Sequence, residues 1–270
     1  SGTVSEKHKK LIRRGELFQM ILPPSYPGSS LLQKIGQRFI NKAQKLEKKY
    51  RQAKYFKAKK GVCISAGGFI FNRAMVEEYA PKYSKGMPDN GSGIRLGQSV
   101  GGRTKHMDRV TAWRFLNPPM SFAKGMVVNK NGKRFCNEMV YGATLGDEMC
   151  ENNNGKAYLI LSEELFKSSK LEAAKSLPFQ RDAAKMLMTF NAVKRKNIDD
   201  LAKVYGINED NLKESIHQYN ESAINDDYCS LGKASKDMKK IDAPYYIMDI
   251  SIDSRLSPLP TLTLGGLEVY

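Results

Sequence analysis

Apolar residues recur along this chain in two different rhythms. From residue 30 to 56, Leu31, Leu32, Ile35, Phe39, Ile40, Ala43 and Leu46 fall at spacings of three and four, which predicts a helix with a nearly all-Lys/Arg outer face. Residues 1–21 carry a weaker stripe of the same kind (Leu11, Ile12, Leu17, Phe18), separated from it by Pro23, Pro24, Pro27 and Gly28. The rhythm changes at 61–81. Val62, Cys63 and Ile64 form a run without polar alternation, which reads as a strand buried on both faces. Ser65, Ala66, Gly67 and Gly68 follow, and two adjacent glycines let the backbone turn sharply and admit a close neighbour. Asn72 then reads as a helix cap, with Met75, Val76 and Tyr79 at helical spacing until Pro81. A strand, a glycine gap and a capped helix is how an open α/β sheet presents its edge to a ligand, although an ordinary βα turn has the same pattern.

After a polar loop at 84–90, Ser92 reads as an N-cap, with Ile94, Leu96, Gly97 and Val100 inward and Gly101 and Gly102 at the end. A helix start beside a glycine gap leaves N–H groups able to hold an anion such as a pyrophosphate. The string G-S-G-I-R-L-G (91–97) misses the G-x-G-x-x-G spacing and follows no strand, so it is not a dinucleotide fingerprint. Residues 103–161 read as β-rich. Met126, Val127 and Val128 form a strand, N-K-N-G (129–132) a turn, Arg134, Phe135 and Cys136 a return strand, and 157–161 a further strand. Residues 162–224 read as helices capped by Ser162, Asn197 and Asn208. A loop at 225–242, an extended segment at 245–252 and a Pro-punctuated final strand complete the pattern.

Composition narrows the classes. The 270 residues suffice for a sizeable core in one or two domains, with no run of 18 apolar residues and no signal-peptide pattern. Cys63, Cys136, Cys150 and Cys229 are scattered and the three histidines far apart. That argues against a disulfide framework or a metal site and favours a reducing, cytoplasmic setting. The net charge of +16 suggests nucleic acid, but residues 1–60 hold 16 Lys and Arg against 3 Asp and Glu. The other 210 residues carry only +3, so the excess belongs to an N-terminal arm. Its basic helix reads either as a solvated face packed on a domain or as a surface for an anionic membrane or RNA.

Six separated motifs then bring a family into view. They are S-A-G-G-F-x-x-N (65–72), D-N-G-S-G-I-R-L-G-Q-S-V-G-G (89–102), N-G-K-R-F-C-N-E (131–138), L-A-K-V-Y-G-I-N-E-D-N-L-K-E-S-I-H-Q-Y-N (201–220), P-Y-Y (244–246) and L-G-G-L (264–267). In that order and at that spacing they resemble the FAD-dependent flavoproteins comprising soluble fumarate reductases and 3-ketosteroid dehydrogenases, from about residue 59 onward. The resemblance implies an α/β FAD-binding domain, here partial (59–108 and 261–270), with an inserted α+β capping domain (109–260) that holds the substrate against the flavin. Residues 1–58 remain as a basic helical arm outside it. Ala66 and Gly67 are implied to lie against FAD, and Ser92 stands where fumarate reductases carry an acidic residue near the cofactor.

The departures from the family pattern point to a substrate class. Where fumarate reductases place histidines on a dicarboxylate, this chain has Trp113 and the Thr261–Leu262 pair. An indole and an aliphatic side chain leave buried carboxylates unpartnered but suit a flat apolar ligand, so Trp113 and Leu262 are the expected substrate contacts. By the same resemblance Tyr141 is the proton acceptor for a steroid-like ketone, while Asn137 and Glu138 brace the hairpin. A tyrosine, with an ordinary pKa of about 10, needs a proton path or nearby positive charge for that task. The family's G-x-G-x-x-G segment and its final flavin-closing segment are not found, so this chain alone is expected to bind FAD weakly or not at all. A separate chain completing the FAD domain is one expected partner. Two alternatives stay open: a non-catalytic remnant or split subunit whose basic arm binds an anionic surface or nucleic acid, and a fumarate/succinate oxidoreductase.

Overall fold

The computed structural model describes residues 2–21, 29–52, 54–69, 72–83, 91–225, 227–254 and 261–269. It divides into two compact units, Ser1–Cys63 and Ile64–Tyr270.

The first unit is an antiparallel helical hairpin of α1 (Gly2–Ile21) and α2 (Ser29–Tyr50). The apolar stripes face each other. The rings of Phe18 and Phe39 stack at 5.7 Å, and Ala43 is fully buried. Gly15 allows the close crossing, since a Cβ there would lie 2.6 Å from Ile40 Cγ1 and 3.0 Å from the Gly36 carbonyl oxygen. The stripe of α2 is thus spent on α1, and the helix stops at Tyr50 rather than continuing to residue 56. Residues 54–63 are neither helix nor strand. Val62 is 79 % exposed and Cys63 is exposed, so the strand expected at 62–64 is absent. An apolar run becomes a buried strand only when neighbours pair with it, and no described residue does.

The second unit begins with Asn72, whose side chain accepts from the Met75 N–H at 3.3 Å and caps α3 (Arg73–Tyr79). A 3-10 turn, Pro81–Tyr83, follows, then α4 (Ser92–Ser99). The cap of α4 is Gly91 at φ 68, not Ser92, which is the first residue of the helix. A Cβ at Gly91 would meet Met75 Sδ at 2.8 Å and Phe69 Cβ at 2.9 Å, so positive φ and crowding both select glycine. Ile94 and Gly97 face inward as expected, whereas Leu96 and Val100 are exposed.

Two short ribbons follow. Strand β1 (Thr104–Lys105) pairs with β8 (Gly266–Leu267), and β2 (Val110–Ala112) pairs with β7 (Thr261–Thr263), each antiparallel. The main sheet is antiparallel in the order β3 (Met126–Val128), β4 (Tyr158–Ser162), β6 (Tyr245–Asp249), β5 (Val193–Arg195). All five β4 residues are buried, so it is the central strand of the core. Against this sheet lie α7 (Glu163–Ala174), whose Phe166 stacks on Tyr246 at 3.9 Å, and α9 (Ile198–Tyr205). Helix α7 also contacts the short α5 (Met120–Ala123) and α8 (Pro178–Phe190), while α10 (Glu209–Asn225) packs on α9. The caps fall where the sequence puts them. Ser162 accepts from Leu165, Asn197 from Asp200 and Asn208 from Asn211. The expected 126–136 hairpin forms its turn, with Gly132 N–H donating to the Asn129 carbonyl. Its return strand shrinks to a single bridge, Val128 with Arg134, while β3 pairs in register with β4 along its other edge.

Candidate active site

Helix α6 (Gly142–Asn152) begins where chemistry is expected, with Tyr141 at its cap position. Two glycines set its place. A Cβ on Gly146 would fall 1.9 Å from the Ala112 carbonyl oxygen, so only glycine lets α6 lie directly on β2. A Cβ on Gly142 would fall 2.6 Å from Phe115 Cδ1, so the Phe115 ring rests on the bare first turn of the helix. Asp147 fixes the crossing, accepting from the Ala112 N–H at 2.8 Å and the Thr111 hydroxyl at 3.2 Å. Arg114 N–H donates to the Gly142 carbonyl at 2.9 Å.

The result is a cluster of three rings. Trp113 and Tyr141 lie 6.5 Å apart, and Phe115 stands edge-on to both, at 5.9 Å and 5.6 Å. Tyr141 is 64 % and Phe115 49 % exposed, so the rings border open space rather than fill a core. Phe115 and Tyr141, but not Trp113, line a cavity of ≈ 180 Å³, together with Leu116, Asn117, Met120, Ala123, Glu138, Met139, Val140 and Gly142. Phe115 was not singled out by the sequence. Its only signal is its place in W-R-F-L-N-P-P-M, two positions after Trp113.

The carboxylate of Glu138, fully buried, is already engaged. Arg134 donates to both of its oxygens at 3.1 and 2.8 Å, the Val127 N–H at 2.9 Å and Lys233 Nζ at 3.0 Å. Burial alone would raise its pKa, but Lys233 and Arg134 hold it below the ordinary value of 4.5, so the group is ionised. Asn137 donates to the Gly232 carbonyl and accepts from the Met139 N–H. Both residues brace the segment that ends at Tyr141. Nearby Arg114 is buried and donates to the Ser251 carbonyl at 3.1 Å. Burial pushes its pKa down to about 10 against the pull of Asp249.

The other expected site residues form a second place. Ser65, Ala66 and Gly67 are exposed in an irregular run, with Gly67 at φ 70. The run lies flush on the first turn of α4, since a Cβ on Gly93 would meet Ala66 Cβ at 2.9 Å and Ile64 Cγ2 at 3.0 Å. Gly91 N–H donates to the Gly68 carbonyl at 2.9 Å, and exposed Ser92 follows. The two glycines divide their tasks. Gly68 is closed by the fold itself, a Cβ there falling 1.8 Å from Thr263 Oγ1, while Gly67 faces outward. Phe69 N–H donates to Thr263 Oγ1 at 3.2 Å, which ties this corner to β7 and through β2 to Trp113. Leu262, 47 % exposed, stands opposite Thr111 on the same ribbon, two positions before Trp113 on the partner strand. Among the described residues, no group of three His, Cys, Asp or Glu is placed to hold a metal ion, and no helix is long and apolar enough to cross a membrane.

Known proteins resemble this chain in sequence and fold. The chain is 37% identical over 236 residues to the 3-oxo-5-alpha-steroid 4-dehydrogenase of Comamonas testosteroni, covering 85% of this chain and 44% of that protein. It is 22% identical to a probable fumarate reductase of Shewanella frigidimarina, covering 80% of this chain and 36% of the relative. The chain thus spans less than half the length of these relatives. The fold matches the 3-ketosteroid-Δ4-(5α)-dehydrogenase of Rhodococcus jostii RHA1, solved with 4-androstene-3,17-dione, at a TM-score of 0.63 and 22% identity over 91% of this chain and 54% of that one. A family model described as the FAD binding domain matches residues 43–269. On that match, spanning most of its length, the chain belongs to the FAD binding domain family, with FAD as the cofactor.

Proposed function

We propose that this chain forms the substrate-facing part of an FAD-dependent dehydrogenase acting on apolar, steroid-like ketones. The observation that carries this reading is the ring cluster of Trp113, Phe115 and Tyr141, two of whose rings line a cavity whose one carboxylate is fully bonded elsewhere. Such a place offers contact area to a flat ligand and one exposed hydroxyl. A dicarboxylate would meet three aromatic faces and an ionised Glu138, which disfavours succinate and fumarate.

Ala66, Gly67 and Ser92 are the residues that would hold the cofactor. They fit a flat group because the strip is free of bulky side chains and lies beside the first turn of α4. When bound, FAD supplies hydride acceptance. Trp113 and Phe115 orient the ligand by ring contact, and Leu262 adds apolar surface from the β2–β7 ribbon. Tyr141 Oη takes the proton from the carbon beside the ketone. Residues 109–260 act as the substrate-holding lid. The protein works in the cytoplasm.

Trp113 is the chain's one tryptophan, so its fluorescence reports on this place directly. A steroid 3-ketone is expected to quench it saturably, and succinate to leave it unchanged; the opposite pattern sinks the reading. Tyr141→Phe keeps the ring and removes the hydroxyl. It is expected to retain ketone quenching while flavin-linked dye reduction, measured with added FAD, falls by about 10²–10⁴-fold.

A further inference from the structure

Burying an ammonium is costly unless its three N–H groups all find acceptors. Lys233 is fully buried, and its Nζ lies 2.7 Å from the Ala123 carbonyl oxygen, 2.8 Å from that of Gly125, 3.0 Å from Glu138 Oε2 and 3.1 Å from Tyr219 Oη. These partners stand on separate stretches of chain. Ala123 ends α5, Gly125 precedes β3, Tyr219 lies on α10, and Glu138 comes three residues before Tyr141. Ala123 and Glu138 both line the cavity that Phe115 and Tyr141 border. One ammonium therefore ties two stretches of the cavity wall together. Core-making alone does not call for a charge here, since apolar side chains of similar volume fill such positions at equal or lower cost. At ≈ 180 Å³ the cavity is also smaller than the roughly 300–1,000 Å³ of a complete ligand site, so it admits one end of a ligand. The fit of that end depends on how far apart the walls stand.

We infer that Lys233 is a positioning residue: it fixes the end of α5 against the segment that carries Tyr141, and so sets how one ring of a fused-ring ketone seats in the cavity. The identity of the ligand rests on the function proposed above; the clamping of the walls does not.

The test compares Lys233→Met with Asn191→Ala, a control that removes another buried polar anchor, the amide bonded to the Asp249 backbone. Both are studied in the full chain at temperatures giving equal folded fractions. Two readouts come from Trp113: its quenching by acrylamide without ligand, and its saturable quenching by a steroid 3-ketone. Lys233→Met is expected to increase acrylamide quenching and to weaken ketone binding about ten-fold, the order that one lost charged hydrogen bond carries. The control is expected to move neither. No change in a folded Lys233→Met, or equal changes in both variants, overturns the inference. If the unsubstituted chain ignores the ketone, the apolar-ketone reading falls, and the acrylamide comparison still decides the role of Lys233. Should Lys233→Met not fold, Lys233→Arg is measured in its place. It keeps the charge but loses the compact head with its three donors, and the same two shifts are expected.

Discussion

Glu138 is a charge held where water does not reach, and its protonation state governs part of the molecule's stability. Arg134, Lys233 and the Val127 N–H surround it, and they keep its folded pKa below 4.5 despite burial. The folded carboxyl thus binds a proton less readily than the unfolded one. Its contribution is fully present above the unfolded value and is lost as pH falls through the lower folded value. Urea midpoints are therefore expected to stay level from neutral pH down to about 5 and to drop at lower pH, as far as this group governs them. Glu138→Ala leaves two buried cations without their counter-ion and should cost about 3–5 kcal/mol at neutral pH. The acid limb should also become shallower, because the titrating group is gone. An equally steep acid limb in the variant would assign the acid sensitivity to other carboxylates. The surface pairs are weak candidates for that, since solvent screens the contacts of Glu163 with Lys194 and of Asp182 with Arg181.

Glycine 146 shows how one absent side chain places an entire helix. In an isolated helix Gly→Ala gains about 1 kcal/mol. Here the new methyl would sit 1.9 Å from a backbone oxygen of β2, and backbone cannot rotate away as a flexible side chain can. The clash wins: Gly146→Ala is expected to destabilise by about 1–3 kcal/mol and to move α6, with Tyr141 at its head, off Trp113. Thermal melting and the Trp113 emission maximum measure the two effects, and a variant of unchanged emission would show that α6 does not position Tyr141. The same contrast explains what the sequence could reveal. Caps are local, needing one side chain and an N–H two or three residues on, so Asn72, Ser162, Asn197 and Asn208 were legible. The cap at Gly91 was not, because its cause is crowding by Phe69 and Met75. Pairings are non-local: the ladder partner of β3 is β4, some 30 residues on, and the adjacent return segment keeps one bridge. Val62, Cys63 and Ile64 read as strand from composition alone, yet no described strand pairs with them. In the site, Trp113 and Tyr141 were named from the sequence and do come together. Phe115 and Lys233 were missed because nothing in an apolar run or a polar loop announces a ring edge or a buried ammonium.

At the scale of the whole molecule, charge and compactness divide along nearly the same line. Residues 1–60 hold 16 basic and 3 acidic residues, and the first compact unit ends at Cys63. The hairpin satisfies its own apolar stripe through Phe18, Phe39, Ile40 and Ala43, and the second unit has a separate core around β4. Lys54, Lys57, Lys59 and Lys60 stand between α2 and the second unit, exposed and in neither helix nor strand. A protease needs an extended stretch of about this kind, free of ladder or helical hydrogen bonds, whereas lysines in packed helices become accessible only on unfolding. Brief trypsin treatment is therefore expected to cut first at one of these four lysines. The fragment holding residues 64–270 should persist with its Trp113 fluorescence unaltered, because the ring cluster, the cavity and the buried Glu138 network lie wholly within it. Mass spectrometry of the early products reads the cut sites. First cuts between 104 and 254, or loss of the Trp113 signal together with the hairpin, would mean that the second unit depends on the first for its fold.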